Sequence, residues 1–180
     1  MSKNAENSRI LNWGLIGTAR INRALIPALR LSRRSKLAGV ASRDLERAKS
    51  YAREWRIPRA YGSYADVLSD PSIDVVYNSL PNHMHAEWTI MAARAGKHVL
   101  CEKPLALNVE EVDAIHAAAS ENNVVIAEAF MYYHHPQTHQ VLDLLRKGEI
   151  GELRLVSGEF SFLLSDGNNI RLNPAYGGGS

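Results

Sequence analysis

Cysteine is almost missing from this sequence: Cys101 stands alone among 180 residues and has no partner for an internal disulfide. A disulfide-stapled scaffold is excluded. Charge of one sign is also lacking, because 21 Lys and Arg against 19 Asp and Glu leave a net charge of only +2. Neither nucleic acid nor an anionic membrane is demanded as a partner. No apolar run approaches the roughly 18 residues that suggest a membrane span, since Arg, Asn, Glu or Lys interrupts each one. The polar start Met1-Ser2-Lys3-Asn4-Ala5-Glu6-Asn7 lacks the apolar stretch of a secretory signal. With the solitary cysteine it points to a cytoplasmic, reducing location. What remains, 46% hydrophobic and 22% charged residues, is the balance of an ordered globular chain.

Five short apolar runs read as strands: Trp13–Ile16, Leu37–Ala41, Val75–Tyr77, His98–Cys101 and Val124–Ala127. Their continuous rather than alternating character indicates a parallel sheet buried on both faces. Between them apolar residues recur at helical spacing: Ile21, Ala24, Leu25, Ala28 and Leu29, then Leu45, Ala48, Ala52 and Trp55, then Trp88, Met91, Ala92 and Ala95. Each stripe can seal one sheet face. Gly96 is placed to end the third helix in a left-handed cap, and Asn108 with Glu111 forms an Asn version of the capping box. Strand followed by helix, repeated, predicts an α/β fold with a Rossmann-like doubly wound parallel sheet. Ligands bind such sheets at the carboxyl ends of their strands.

From about Leu142 the pattern changes. Val141, Leu142, Leu144 and Leu145 predict a helix stopped by Gly148, and Leu153–Phe162 alternates like a half-exposed strand. A second, antiparallel element is expected to begin there. The chain stops at Tyr176-Gly177-Gly178-Gly179-Ser180 with no regular element to end on, which reads as a truncation.

The first strand runs into Gly17-Thr18-Ala19-Arg20-Ile21-Asn22, where a dinucleotide fold carries its G-x-G-x-x-G turn. Glycine there allows a tight turn and brings backbone N–H groups to a pyrophosphate at a helix N-terminus. Only the first glycine is kept, with Ala19 and Asn22 at the other two sites. At the end of the second strand an acidic residue suits the ribose 2′-hydroxyl of NAD and a basic one the 2′-phosphate of NADP. This chain has Ser42-Arg43, which favours NADP over NAD, and either Ser42 or Asp44 can cap the next helix. Two further loops, Leu80-Pro81-Asn82-His83-Met84-His85 and Cys101-Glu102-Lys103-Pro104, leave adjacent strand ends and converge on the same crevice.

Taken together, Gly14–Ile21, Pro81-Asn82-x-x-His85 and Glu102-Lys103-Pro104 resemble the family of glucose-fructose oxidoreductase and inositol dehydrogenase over about residues 11–180. Ala41-Ser42-Arg43-Asp44 and Ala60-Tyr61-Gly62-Ser63-Tyr64 are most similar to its NADP-dependent dihydrodiol and xylose dehydrogenase branch. The resemblance implies a nucleotide-binding domain over residues 1–130. Residues 131–180 would start an α+β domain that holds substrate and often mediates homo-oligomers. It implies hydride transfer between nicotinamide and a sugar, polyol or dihydrodiol. Lys103 is the expected catalytic residue, held by Glu102 and Pro104, in relatives with a cis Lys-Pro bond. Gly17, Thr18, Ala19, Arg20, Ile21, Ser42, Arg43, Leu80, Pro81, Asn82, His85, Glu102 and Lys103 are the expected cofactor contacts. An ammonium in this position stabilises the alkoxide that develops as hydride leaves. The rival expectation is a non-catalytic NADP-binding sensor of the same fold, or an inactive fragment.

Two departures bear on the resemblance. Relatives commonly carry Arg where Tyr133 stands, and their second catalytic segment follows a glycine stretch like Gly177–Gly179, beyond which this sequence does not extend. His83, His85, His134, His135 and His139 lack a matching Cys or carboxylate pattern, so no metal site is expected. Cys101, inside an apolar strand, is expected to pack rather than react.

Overall fold

The computed structural model describes residues 9–165, 167 and 169–177. Its core is one six-stranded sheet of β1 (Leu11–Ile16), β2 (Ser35–Ala41), β3 (Arg59–Tyr61), β4 (Val75–Asn78), β5 (His98–Cys101) and β6 (Ile126–Glu128). All neighbouring strands pair in parallel, in the order β3-β2-β1-β4-β5-β6. Helices α1 (Asn22–Leu31), α2 (Leu45–Glu54), α3 (Tyr64–Ser69), α4 (His85–Arg94) and α5 (Val109–Glu121) alternate with the strands. The expected doubly wound sheet is therefore present, and its direction of winding reverses between β1 and β4.

The two faces separate residue by residue. Leu15 joins Ile26, Leu29, Val40, Ala52 and Tyr77 in the core under α1 and α2. Its neighbour Ile16 joins Val67, Leu68, Val76, Ala92 and Val99 under α3 and α4. Successive side chains of a strand point to opposite faces, so an uninterrupted apolar run is what a sheet covered on both sides requires. Ile26 is fully buried, and truncating it to Ala would cost about 2–5 kcal/mol.

Helix ends follow the local chemistry. Asp44, not Ser42, caps α2 by accepting from the Glu46 and Arg47 amides. Asn108 accepts from the Glu111 amide, while Glu111 Oε2 accepts from the Leu107 amide, one residue before the position a capping box uses. Gly96 ends α4 at φ +72°. At the rim of β3, Asp70 accepts from Ser72, Tyr61 and Arg59. The Ser72 and Tyr61 hydroxyls above all hold its carboxyl down to about 2.

Three expectations are corrected. Strand β3 and helix α3 fall where no element was expected. The last strand is Ile126–Glu128 rather than Val124–Ala127. Leu153–Phe162 forms no strand; Leu155, Val156 and Phe160 are exposed, and no described strand lies beside the segment to accept its backbone groups. Helix α6 (Pro136–Arg146) does form as expected and gives way to Gly148 at φ +73°. Gly178 and Gly179 of the glycine stretch lie outside the described residues.

Candidate functional site

At the switch point, β1 ends at Ile16 and runs into Gly17, and β4 ends at Asn78 and runs into Ser79-Leu80. Gly17 has φ +96°, and a Cβ there would lie 3.1 Å from Leu80 Cδ2. Only glycine lets the two strand ends approach this closely without strain. Asn22 stands where the motif has its third glycine, and its fully buried amide Nδ2 donates to the Gly17 carbonyl at 3.0 Å. A side chain thus closes a turn that glycines close elsewhere. Among the described residues no protein acceptor meets the amides of Thr18, Ala19, Arg20 or Ile21. Four unpaired N–H groups leading into α1 form a site for an anion.

Positive charge surrounds that turn. Arg47, in the first turn of α2, donates from Nε to Thr18 Oγ1 at 2.8 Å and so ties the second strand-helix junction to the first. Ser42 is buried, its amide bonded to the Tyr61 carbonyl at 3.1 Å and its Oγ accepting from Asp44 N at 3.3 Å. Arg43 and Arg20 are exposed and form no ion pair among the described residues. Asp44 already neutralises the α2 N-terminus. The groups left free to meet an anion on this side are therefore the guanidinium groups of Arg20 and Arg43.

The loop after β5 is held at several points while its lysine is left out. Glu102 donates its amide to Asn78 O at 2.9 Å, and its carboxylate accepts the Tyr77 hydroxyl. Burial, then the Glu102 carboxylate, raises the Tyr77 hydroxyl well above its ordinary value, so it stays a donor. Lys103-Pro104 is a cis peptide bond. Leu105 N donates to Glu128 Oε1 at 2.9 Å. Lys103 itself is exposed, and no described residue bonds its ammonium.

His85 stands apart from the other expected contacts. Its ring is fully buried, with Nε2 2.7 Å from Leu80 O and Nδ1 2.6 Å from Pro104 O. It braces the Leu80 loop against the Lys103 loop from below, so its ring is not offered to a nucleotide. Pro81 and Asn82 are half-buried at the surface of the same loop. Sequence reasoning missed Asn22 and Asn78 as organisers; Asn78 Nδ2 bonds His85 O and Thr89 Oγ1 at 3.2 and 3.1 Å, and its Oδ1 accepts from Leu80 N. The available signal was an Asn closing each strand-to-helix turn, at a third-glycine position and at a strand end.

Beneath Glu102, between α1 and the ends of β4 to β6, lies an apolar cavity of about 250 Å³ lined by Ile21, Leu25, Tyr77, Leu100 and Phe130. A larger groove of about 410 Å³ lies between α5 and β6 and contains none of the expected site residues. Tyr133, where relatives commonly carry Arg, is exposed and packs edge-on against His134 and His139. His135 accepts from Gln137 N through Nδ1 and caps α6.

Comparison with known proteins matches this geometry. The chain is 44% identical over 170 residues to a D-xylose 1-dehydrogenase (NADP(+)) of Haloferax volcanii, covering 93% of this chain and 52% of the relative. The crystal structure of a 3-ketoreductase from Actinomadura kijaniata with TDP-benzene and NADP superposes with a TM-score of 0.75 at 39% identity, over 80% of this chain and 46% of that one. An aldose-aldose oxidoreductase from Caulobacter crescentus complexed with glycerol gives 0.84 at 31% identity, over 93% and 52%. The chain thus spans about half the length of the curated relatives it matches. Residues 11–130 match the model of the glucose-fructose oxidoreductase and inositol dehydrogenase family, described as an oxidoreductase family with an NAD-binding Rossmann fold, and the chain belongs to that family.

Proposed function

We propose that this chain supplies the nucleotide-binding half of an NADP-dependent oxidoreductase acting on a sugar, polyol or dihydrodiol carbinol. The observation that carries the reading is the pairing of an anion-ready turn at Thr18–Ile21 with a lysine presented, unpaired, from the braced loop two strands away. The names of relatives, a D-xylose 1-dehydrogenase (NADP(+)) and trans-1,2-dihydrobenzene-1,2-diol dehydrogenases, support the cofactor and substrate class.

On this reading the Thr18–Ile21 amides hold the pyrophosphate, with Ser42 and Arg43 at the 2′-phosphate and Arg47 steadying the turn through Thr18. Leu80 and Pro81 line the crevice floor. NADP, when bound, supplies the hydride-accepting carbon. Lys103 donates a hydrogen bond to the substrate oxygen and stabilises the negative charge that develops on it as the carbinol carbon is oxidised and its hydroxyl proton passes to water, while Glu102, fixed by Tyr77, keeps the lysine loop in place. Residues 131–180 begin the part of the protein that receives substrate and that joins protomers into a homo-oligomer.

The test is Lys103→Met in the full-length protein. Turnover should fall about 10²- to 10⁴-fold while NADP affinity changes far less. A variant keeping most of its kcat would remove Lys103 from the chemistry and favour a nucleotide sensor instead.

A further inference from the structure

The segment from Ile170 to Gly177 lies far along the chain from any strand, yet it returns to the crevice. Asn82 Nδ2 donates to the Gly177 carbonyl at 2.9 Å. Tyr176 stacks on His83 with ring centroids 4.8 Å apart and planes inclined by 27°. Gly177 has φ +69°, and a Cβ there would sit 3.2 Å from Asn82 Cβ and collide with Leu107 Cδ2. These two contacts and the close approach of Gly177 to Leu107 together seat this segment in the seam between the Pro81–Asn82 loop and the loop that runs from Lys103 to Leu107.

We propose that Asn82 and His83 are positioning residues whose partner is the Tyr176–Gly177 segment of this same chain. Asn82 was expected to contact the cofactor, but its amide is spent on a backbone carbonyl 95 residues away. The clamp holds Gly177 at the rim of the crevice, beside the lysine loop. That consequence rests on the nucleotide-site reading above; the contact itself does not.

Hydrogen exchange reads the clamp directly. Asn173, Tyr176 and Gly177 amides donate only within tight local turns, to Ile170, Asn173 and Pro174 carbonyls. Turns this short are not stable alone, so their protection reports docking. In the 180-residue chain without nucleotide, Asn82→Ala, Tyr176→Ala and Gly177→Ala should each speed exchange over residues 173–177 about 3- to 10-fold. Exchange in Leu37–Ala41 should not change, which shows that the sheet stays folded. The Asn82→Ala/Gly177→Ala double variant should be no faster than the faster single one, because both remove one clamp.

Unchanged exchange at 173–177 in Asn82→Ala, or fully additive effects in the double variant, would overturn the proposal. Loss of NADP affinity in Asn82→Ala with unchanged exchange would make Asn82 a nucleotide contact only. A chain that binds no NADP yet shows the predicted exchange pattern would defeat the nucleotide reading and leave the clamp standing.

Discussion

His85 Nδ1 lies 2.6 Å from the carbonyl oxygen of Pro104, and the same ring meets Leu80 O at 2.7 Å. One fully buried side chain thus joins the two loops that border the crevice. Replacing it with Phe keeps much of the volume but removes the ring N–H, of which a neutral imidazole has one, and leaves the carbonyl it meets without a donor at about 1–3 kcal/mol. His85→Phe should lower the melting temperature by about 2–12 °C, since 1 kcal/mol corresponds to about 2–4 °C in a chain of this size. Thermal unfolding followed by circular dichroism checks this; a shift within 2 °C would remove His85 as the brace.

The rim of β3 makes a prediction in pH. Asp70 has an ordinary carboxyl value of 3.8, and the Ser72 and Tyr61 hydroxyls, with Arg59 beside it, lower it to about 2 in the folded chain. A group depressed on folding stabilises above its unfolded value, and that stability is lost as pH falls through the folded one. Asp70→Asn should therefore lower the melting temperature at pH 7, and the gap to the wild type should close as pH is taken from about 4 to about 2. A gap that is constant across this range would contradict the network.

Cys101 closes β5 fully buried, and burial pushes its thiol up to about 12. Thiolate is the reactive form, so a thiol reagent at pH 8 should modify the native chain at least about 100-fold more slowly than the denatured chain. Rapid native labelling would show that β5 opens on the timescale of the reaction.

Most of the fold was legible because both-face burial leaves an unmistakable mark: four of the five expected runs overlap observed strands closely, and the fifth is offset toward the crevice at Glu128. Strand β3 escaped because three residues, one of them Arg59, at a sheet edge carry no periodicity. Helix α3 escaped for its length, although Ser63 and Asp66 bond reciprocally as a capping box and would have marked its start. The alternation of Leu153–Phe162 misled because a strand pattern produces a strand only beside a neighbour that pairs with it. The site loops were readable from Gly17, Ser42-Arg43, Pro81-Asn82 and Glu102-Lys103-Pro104. Which way His85, Asn22 and Asn78 turn was not, since each closes a contact decided by how two strand ends meet.

Arg47 separates two roles that Arg43 does not. Its Nε holds Thr18 Oγ1, so Arg47→Ala should loosen the pyrophosphate turn and weaken NADP and NAD alike, by about 3- to 10-fold. Titration by intrinsic tryptophan fluorescence checks it. A loss confined to NADP would place Arg47 on the 2′-phosphate alone.

On the proposed reading, the crevice at the β1–β4 switch point binds NADP and selects it through Arg43. Equilibrium titration of the 180-residue chain with NADP and NAD, before and after Arg43→Ala, tests it most directly. A charge-assisted hydrogen bond worth about 1.5–3 kcal/mol predicts tighter binding of NADP in the wild type, and a loss of about 10- to 100-fold in NADP affinity in the variant with NAD nearly unchanged. Equal affinities for the two nucleotides in the wild type, or an NADP preference that survives the substitution, would remove Arg43 as the residue that selects NADP.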